Sequence, residues 1–292
     1  MKNRILRILD SFAELMRYKL SVVVTFSAAT GYFLFRSTID HYFFFMVSGV
    51  FLLASGASVL NQYEEREQDS MMVRTRNRPI PAGKISLVSV LLLFLFLLIS
   101  GCCLLLGTGI VPCILGMACI VLYNFIYTPM KKISALAIFS GALVGAIPPL
   151  IGFIAAGGTL SNTKILWFSV FMFLWQLPHF WILLMRYGKE YQSAGFKTLL
   201  SYMNEDWIKW LTFFCVLFSL GFLTCFFVTG SDTSNYPALL ITILNFTFLA
   251  IFSRIFLLKR SPGHLRRAFI LLNSYALVIM IVLIANSIFS RI

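Results

Sequence analysis

Asn61, Glu65 and Asp69 stand four residues apart in the stretch Asn61-Gln-Tyr-Glu-Glu-Arg-Glu-Gln-Asp69. On an α-helix each step of four drifts by only ~40°, so the three oxygen-bearing side chains project from one face about 6 Å apart. That is a ligand set for a hard cation, since magnesium takes one or two carboxylates and leaves its other positions to phosphate and water. The same stretch, with Glu64, Arg66 and Glu67 interspersed, equally suits a solvated, ion-paired helix end. Arg74-Thr-Arg-Asn-Arg78-Pro-Ile-Pro81-Ala-Gly83 follows directly. Guanidinium forks suit bidentate phosphate contacts, although alone the run would also serve as topological anchors. Carboxylates for a metal beside guanidiniums for phosphate oxygens are the two halves of a diphosphate site.

Further segments carry related chemistry. Asn124-Phe-Ile-Tyr-Thr-Pro-Met-Lys131-Lys132 places a kink and two cations at a helix end, and Arg186-Tyr-Gly-Lys189-Glu190 supplies one acid and two cations. Gly141, Gly145, Pro148, Pro149 and Gly152 fall in one apolar run. Small residues let helices approach closely and paired prolines free backbone carbonyls, which suits either a structural kink or a substrate-lining wall. His179, in Trp175-Gln-Leu-Pro-His-Phe-Trp181, is an ionisable group inside an apolar run and so a functional candidate, or a packed structural histidine. The six cysteines lie in apolar runs without Cys-x-x-Cys spacing, and read as inert, buried thiols.

These residues must be positioned by membrane helices. The 292-residue chain is 59% hydrophobic and 12% charged, with a mean hydropathy of +0.88; soluble domains have about 25% charged residues. Apolar runs long enough to cross a ~30 Å hydrocarbon core predict about nine spans, over residues 20–35, 42–60, 85–106, 110–127, 134–156, 165–184, 207–228, 236–257 and 268–290. Before them, Ile5, Ile8, Leu9, Phe12, Leu15 and Met16 recur at helical spacing, predicting a short amphipathic helix on the membrane surface.

The net charge of +13 does not point to nucleic acid, because the basic residues alternate between loops. Of the 24 Lys and Arg, only Arg36, Lys164 and Arg291 fall on one side of the predicted spans. Lys and Arg accumulate on the cytoplasmic side, so the expected topology has the N-terminus cytoplasmic and the C-terminus outside. Nine of the eleven acids share the cytoplasmic side, with only Asp40 and Asp232 opposite. Two long polar loops, 61–85 and 186–206, also lie there. They follow the second and sixth spans, which suggests two four-helix halves plus a final helix, with a site where the halves meet.

With these motifs in place, the chain resembles the UbiA-type membrane prenyltransferases and, within them, the protohaem IX farnesyltransferase (haem O synthase) family. The resemblance rests on the Asn61–Asp69 ladder, the Arg74–Pro79 run with Pro81-Ala-Gly83, Tyr127-Thr-Pro-Met-Lys131, the Gly141–Gly152 segment and Pro178-His-Phe-Trp181. Arg266-Arg-Ala-Phe269 with Ser274-Tyr275 extends it to the last span. Departures are Glu65 and Glu190, where the family carries Asp, and Phe196-Lys-Thr-Leu199, where it carries Pro-Met-Leu.

The resemblance implies an all-α, polytopic bundle of UbiA type with cytoplasmic cap loops, forming a single integral-membrane domain over residues 1–292. It implies transfer of a farnesyl group from farnesyl diphosphate to a vinyl group of haem B, giving haem O. Asn61, Glu65 and Asp69 would hold Mg2+, with Glu190 aiding a second ion. Arg74, Arg78, Lys131 and Arg186 would bind the leaving diphosphate, and His179 is the residue assigned to haem. The implied setting is a bacterial cytoplasmic membrane with the site on its cytoplasmic side. Implied downstream partners are a haem A synthase or terminal oxidase assembly. Alternatives are prenyl transfer to an aromatic quinone precursor, hydrolysis of an isoprenyl diphosphate, or transport of an anionic lipid or metabolite. Transport fits least, since no acid or base lies near the predicted bilayer midplane.

Overall fold

A backbone in hydrocarbon must satisfy its own hydrogen bonds, and apolar runs of this length do so as helices. The computed structural model describes residues 10–229, 235–258 and 263–289, and every regular element among them is helical. In chain order these are α1 (Tyr18–Phe35), α2 (His41–Glu64), the short α3 (Arg66–Met71), α4 (Leu87–Leu106) and α5 (Ile110–Ile133). They continue with α6 (Ala137–Ala155), α7 (Thr163–Ser193), α8 (Glu205–Thr229), α9 (Asn235–Ser253) and α10 (His264–Phe289). Among the described residues, nine helices are long and apolar enough to cross a membrane.

Local chemistry sets several boundaries. The Asp40 carboxylate caps α2 by accepting from Phe43 N, and Ser86 and Asn162 cap α4 and α7 in the same way, each satisfying an otherwise unpartnered amide. α5 passes through a π-helical stretch at Val121–Tyr127, a distortion that is frequent at functional sites. Pro148 and Pro149 remain inside α6, and Pro178 inside α7.

The helices also outrun the expected spans. α7, at 31 residues, is about 46 Å long, so residues 186–193 extend the helix where a polar loop was expected. Of the predicted amphipathic stretch, Ile5, Ile8 and Leu9 lie outside the described residues, while residues 10–15 are helical. Leu15 is fully buried with Val59, Ile80, Val90 and Leu97, and Gln62 Nε2 donates to its carbonyl at 2.7 Å. This segment is docked on the bundle as well as amphipathic. Cys113 and Cys215 are buried, whereas Cys103 and Cys225 face outward, and none of the six forms a disulfide.

Two apolar cores organise the bundle. One draws on α7 to α10 with Phe153 of α6, and the other on α1, α2, α4, α5 and α6. α1 and α6 touch backbone to backbone: a Cβ at Gly31 would lie 1.9 Å from the Pro149 carbonyl oxygen, and one at Gly152 would lie 1.8 Å from that of Ala28. Glycine is therefore obligatory at both positions. The Ser287 hydroxyl of α10 donates to Phe33 O of α1, bringing the first and last spans side by side.

Candidate functional site

The acidic ladder survives a break in its helix. Glu65, between α2 and α3, leaves helical geometry at φ −101°, ψ 11°. Yet Glu65 N still bonds Asn61 O at 3.0 Å, and Asp69 N bonds Glu65 O at 2.7 Å. The i, i+4 spacing is thereby carried through the bend, and Asn61, Glu65 and Asp69 line one cavity of about 400 Å³. All three are buried.

The arginine run folds back onto this ladder. Thr75, itself buried, donates its hydroxyl to Asp69 O at 2.9 Å, and Arg78 N bonds Thr75 O. The turn presents Arg78 Nη1 to both Asp69 oxygens, at 2.7 and 2.6 Å. Arg74 reaches across to α7, donating from Nη2 to the Tyr191 hydroxyl at 3.1 Å and lying over the Tyr187 ring. Arg76, between them, is exposed and does not line the cavity. Alternation in sequence has become selection by the turn.

The second acid is matched from α5. Lys131 forms an ion pair with Glu65 and lies over the Tyr127 ring at 4.5 Å. The loop after α7 is stapled to this point, since Lys197 N bonds Lys131 O at 3.0 Å, and the exposed Lys197 is among the residues at the cavity wall. Asn61 is oriented by a relay. The Thr128 hydroxyl donates to Tyr123 O at 2.9 Å, so it can only accept from Asn61 Nδ2, at 3.0 Å. That contact fixes the Asn61 amide nitrogen on Thr128, leaving the carbonyl oxygen as the group a cation could use where Asn61 lines the cavity. The π-helical stretch also brings Asn124 Nδ2 to Ala57 O and Glu64 Oε2, each at 3.1 Å, tying α5 to α2.

Arg17 completes the polar end, although its type and position suggested only a topological anchor. It is the only non-glycine among the described residues with positive φ, at φ 44°, ψ 48°, a conformation costing about 1–2 kcal/mol. Burial opposes its charge, but the fields of Tyr123, Glu65 and Asp69 outweigh that and raise its pKa. Arg78 goes the other way: burial and the neighbouring Arg17 charge pull its pKa down despite Asp69. Five cations, Arg17, Arg74, Arg78, Lys131 and Lys197, thus line the cavity against two acids, Glu65 and Asp69. The excess of positive charge suits a polyanionic ligand.

Below this end the walls become aromatic and apolar, through Tyr127, Phe180, Pro148 and Ile151, with Gln176 and His179 as polar groups. Tyr127 and Phe180 pack at 6.0 Å between ring centroids.

Two residues implied by the resemblance do not reach the cavity. Arg186 is exposed and stacks on Tyr187, and Glu190 is half-buried off the wall, its Oε2 without a hydrogen-bond partner. The cause is helical phase. α7 stays helical through Ser193, so at ~100° per residue Arg186 lies about 140° and Glu190 about 100° around from Tyr191, which does line the wall. Tyr191 takes the inward face instead, and Tyr187, one turn before it, lies under the Arg74 guanidinium. Among the described residues no three Asp, Glu, His or Cys side chains gather into a protein-only metal cage. The donors present, one amide oxygen and two carboxylates, instead fit an ion shared with a phosphate ligand.

Comparison with known proteins follows the same line. Residues 21–277 match the model of the UbiA prenyltransferase family. The chain is 35% identical over 244 residues to a protoheme IX farnesyltransferase of Cytophaga hutchinsonii, covering 81% of this chain and 85% of that one. Its fold resembles a digeranylgeranylglyceryl phosphate synthase, with TM-score 0.76, 17% identity and 96% and 98% of the two chains covered. It also resembles a UbiA homolog from Archaeoglobus fulgidus bound to GPP and Mg2+, with TM-score 0.71, 13% identity and 96% and 99% covered.

Proposed function

The chain belongs to the UbiA prenyltransferase family, and from that premise we propose that it transfers the farnesyl group of farnesyl diphosphate to a vinyl group of protohaem IX, forming haem O. The observation that carries this reading is the joining of Asn61, Glu65, Asp69, Arg78 and Lys131 in one cavity whose far end is aromatic. The polar end suits a diphosphate, and the apolar remainder suits an isoprenoid tail and a flat macrocycle. The 35% identity to a protoheme IX farnesyltransferase supports haem as the acceptor.

Asn61, Glu65 and Asp69 are the residues that would hold Mg2+. When bound, the ion would supply charge neutralisation to the departing diphosphate. Arg17, Arg74, Arg78, Lys131 and Lys197 bind the diphosphate and receive its growing charge, the form of stabilisation that contributes most to such reactions. The C1–O bond breaks with its electron pair leaving on the diphosphate. The allylic cation faces Tyr127 and Phe180, whose ring faces stabilise positive charge, and the apolar walls keep water away. The vinyl π electrons then form the new bond to C1. Water adds to the resulting cation and loses a proton, giving the hydroxyethylfarnesyl side chain. Arg186 and Glu190, outside the cavity, take no part in these steps. The basic bias of alternate loops supports a site on the cytoplasmic side of a bacterial inner membrane.

The test is to incubate purified membranes with haem B, farnesyl diphosphate and Mg2+ and to look for haem O by mass. Its formation is the expected result. Prenylation of a hydroxybenzoate acceptor, with none of haem B, would overturn the haem assignment while keeping the class.

A further inference from the structure

α7 and α10 meet at a seam that the diphosphate chemistry leaves unused. His179 Nδ1 lies 3.0 Å from Asn273 Oδ1, and Asn273 Nδ2 donates to Phe269 O at 2.6 Å. A carbonyl oxygen can only accept, so the second bond fixes which way the Asn273 amide points. Its Oδ1 must then accept, and His179 Nδ1 must carry the proton. In a neutral imidazole the other nitrogen, Nε2, is left as a bare lone pair. The ring lines the cavity and is clamped by Phe269 at 4.7 Å, Phe180 at 5.6 Å and Trp175 at 5.7 Å between centroids. One turn earlier, Trp175 Nε1 donates to Leu272 O at 3.2 Å, a second tie that holds the seam in register.

An imidazole whose N–H is held by an oxygen acceptor, with its opposite nitrogen bare at a cavity wall, is built as a metal ligand is built. Resting on the reading that the cavity takes an iron porphyrin, we propose that His179 Nε2 is an axial ligand to the iron of the haem substrate. Asn273 is the positioning residue that holds the required tautomer. Tyr191, at the diphosphate end, is 12 residues further along α7, about 18 Å of helix axis. The ligand therefore anchors the macrocycle deep in the cavity, well below the leaving group. Aromatic walls alone would not distinguish iron porphyrin from its metal-free form; a nitrogen ligand would.

The experiment compares binding of haem B and of metal-free protoporphyrin IX to the purified protein in detergent, by titration and by the absorbance and resonance Raman signature of histidine-ligated iron. The wild type is expected to prefer the iron form and show that signature. His179→Ala is expected to erase both and to recover the signature with added imidazole. Asn273→Leu is expected to weaken haem B binding by about 10–100-fold with little change for the metal-free porphyrin, and Asn273→Asp to keep ligation with a shifted iron–nitrogen stretch. Binding of inorganic pyrophosphate with Mg2+ verifies that each variant is folded. Equal affinity of the wild type for the two porphyrins, or an unchanged iron signature in His179→Ala, would overturn the assignment. Haem O formation by the wild type is scored separately, so failure of the ligand and failure of the proposed activity give different patterns.

Discussion

α2 carries an aspartate–arginine pair at each end, and the two pairs do opposite jobs. At its start, Asp40 pairs with Arg36, accepts from the Tyr32 hydroxyl at 2.5 Å and caps Phe43 N at 3.1 Å. These partners are close in sequence, and both charged side chains are partly exposed, at 24% and 37%. Beyond its other end, Asp69 pairs with Arg78 at 1% and 18% exposure, and caps nothing. A buried pair stabilises little relative to apolar packing, because desolvation offsets the Coulombic gain. Asp40 is accounted for by its helix. Asp69 caps no helix, and on the proposed reading its carboxylate serves the ligand, which would distinguish a structural carboxylate from a functional one of the same type.

The widest separation between the pairs is expected in turnover. Asp69→Ala should lower haem O formation at least about 10²-fold with membrane insertion intact, while Asp40→Asn leaves turnover unchanged. Equal rates for the two variants would break the contrast.

Arg17 sharpens it next. Arg17→Ala should weaken competition by inorganic pyrophosphate with Mg2+ by about tenfold to 100-fold, from the ~1.5–3 kcal/mol of a hydrogen bond to a charged group. Arg17→Gly should lose the same affinity yet melt no lower than the wild type, because glycine accepts this backbone conformation without strain. A lowered Tm in Arg17→Gly would mean the residue is structural. Arg186→Ala, by contrast, should shift pyrophosphate competition by no more than about twofold, as for an ordinary surface change. A larger loss would return Arg186 to the site.

The smallest effect belongs to the cap. Burial pushes the Asp40 carboxyl up, but Tyr32, Phe43 N–H and Arg36 outweigh it and hold the pKa below its ordinary value. A lowered carboxyl contributes stability that is complete above the unfolded-state pKa and lost as pH falls through the folded one. Asp40→Asn keeps a capping oxygen but loses the partly exposed ion pair with Arg36, so it should cost about 0.2–1 kcal/mol near neutral pH and less in acid below pH ~4. Melting curves of both proteins at pH 7 and pH 3 check the sign; a penalty that grows in acid would contradict it.

Much of this was legible in one dimension. Hydropathy marks the nine spans, because in hydrocarbon the only cheap backbone is a helix of sufficient length. The ladder is legible because four-residue spacing is a property of the helix itself, and here it survives the break at Glu65 through two backbone bonds. Arg186 and Glu190 stand off the cavity wall for the converse reason. Where the helix ends decides which face a residue takes, and polar residues 186–193 read as loop although α7 continues through them. Lys197 could have been found only as a cation beside a departure from the family pattern. Tyr187 and Tyr191 share a helical spacing that marks only a common face, and Asn273 carries no spacing signal at all.

The amino-acid order alone, then, determined that the chain is a membrane helix bundle and that one helix end bears an acidic face followed by arginines, since both follow from local periodicity. Tertiary structure decided which cations meet that face. Arg17 arrives from before α1, Lys131 from the end of α5 and Lys197 from beyond α7, and no local rule links positions so far apart. It also decided the state of His179, whose proton is assigned by an asparagine 94 positions away. Periodicity is written in neighbours, whereas convergence is a property of packed helices.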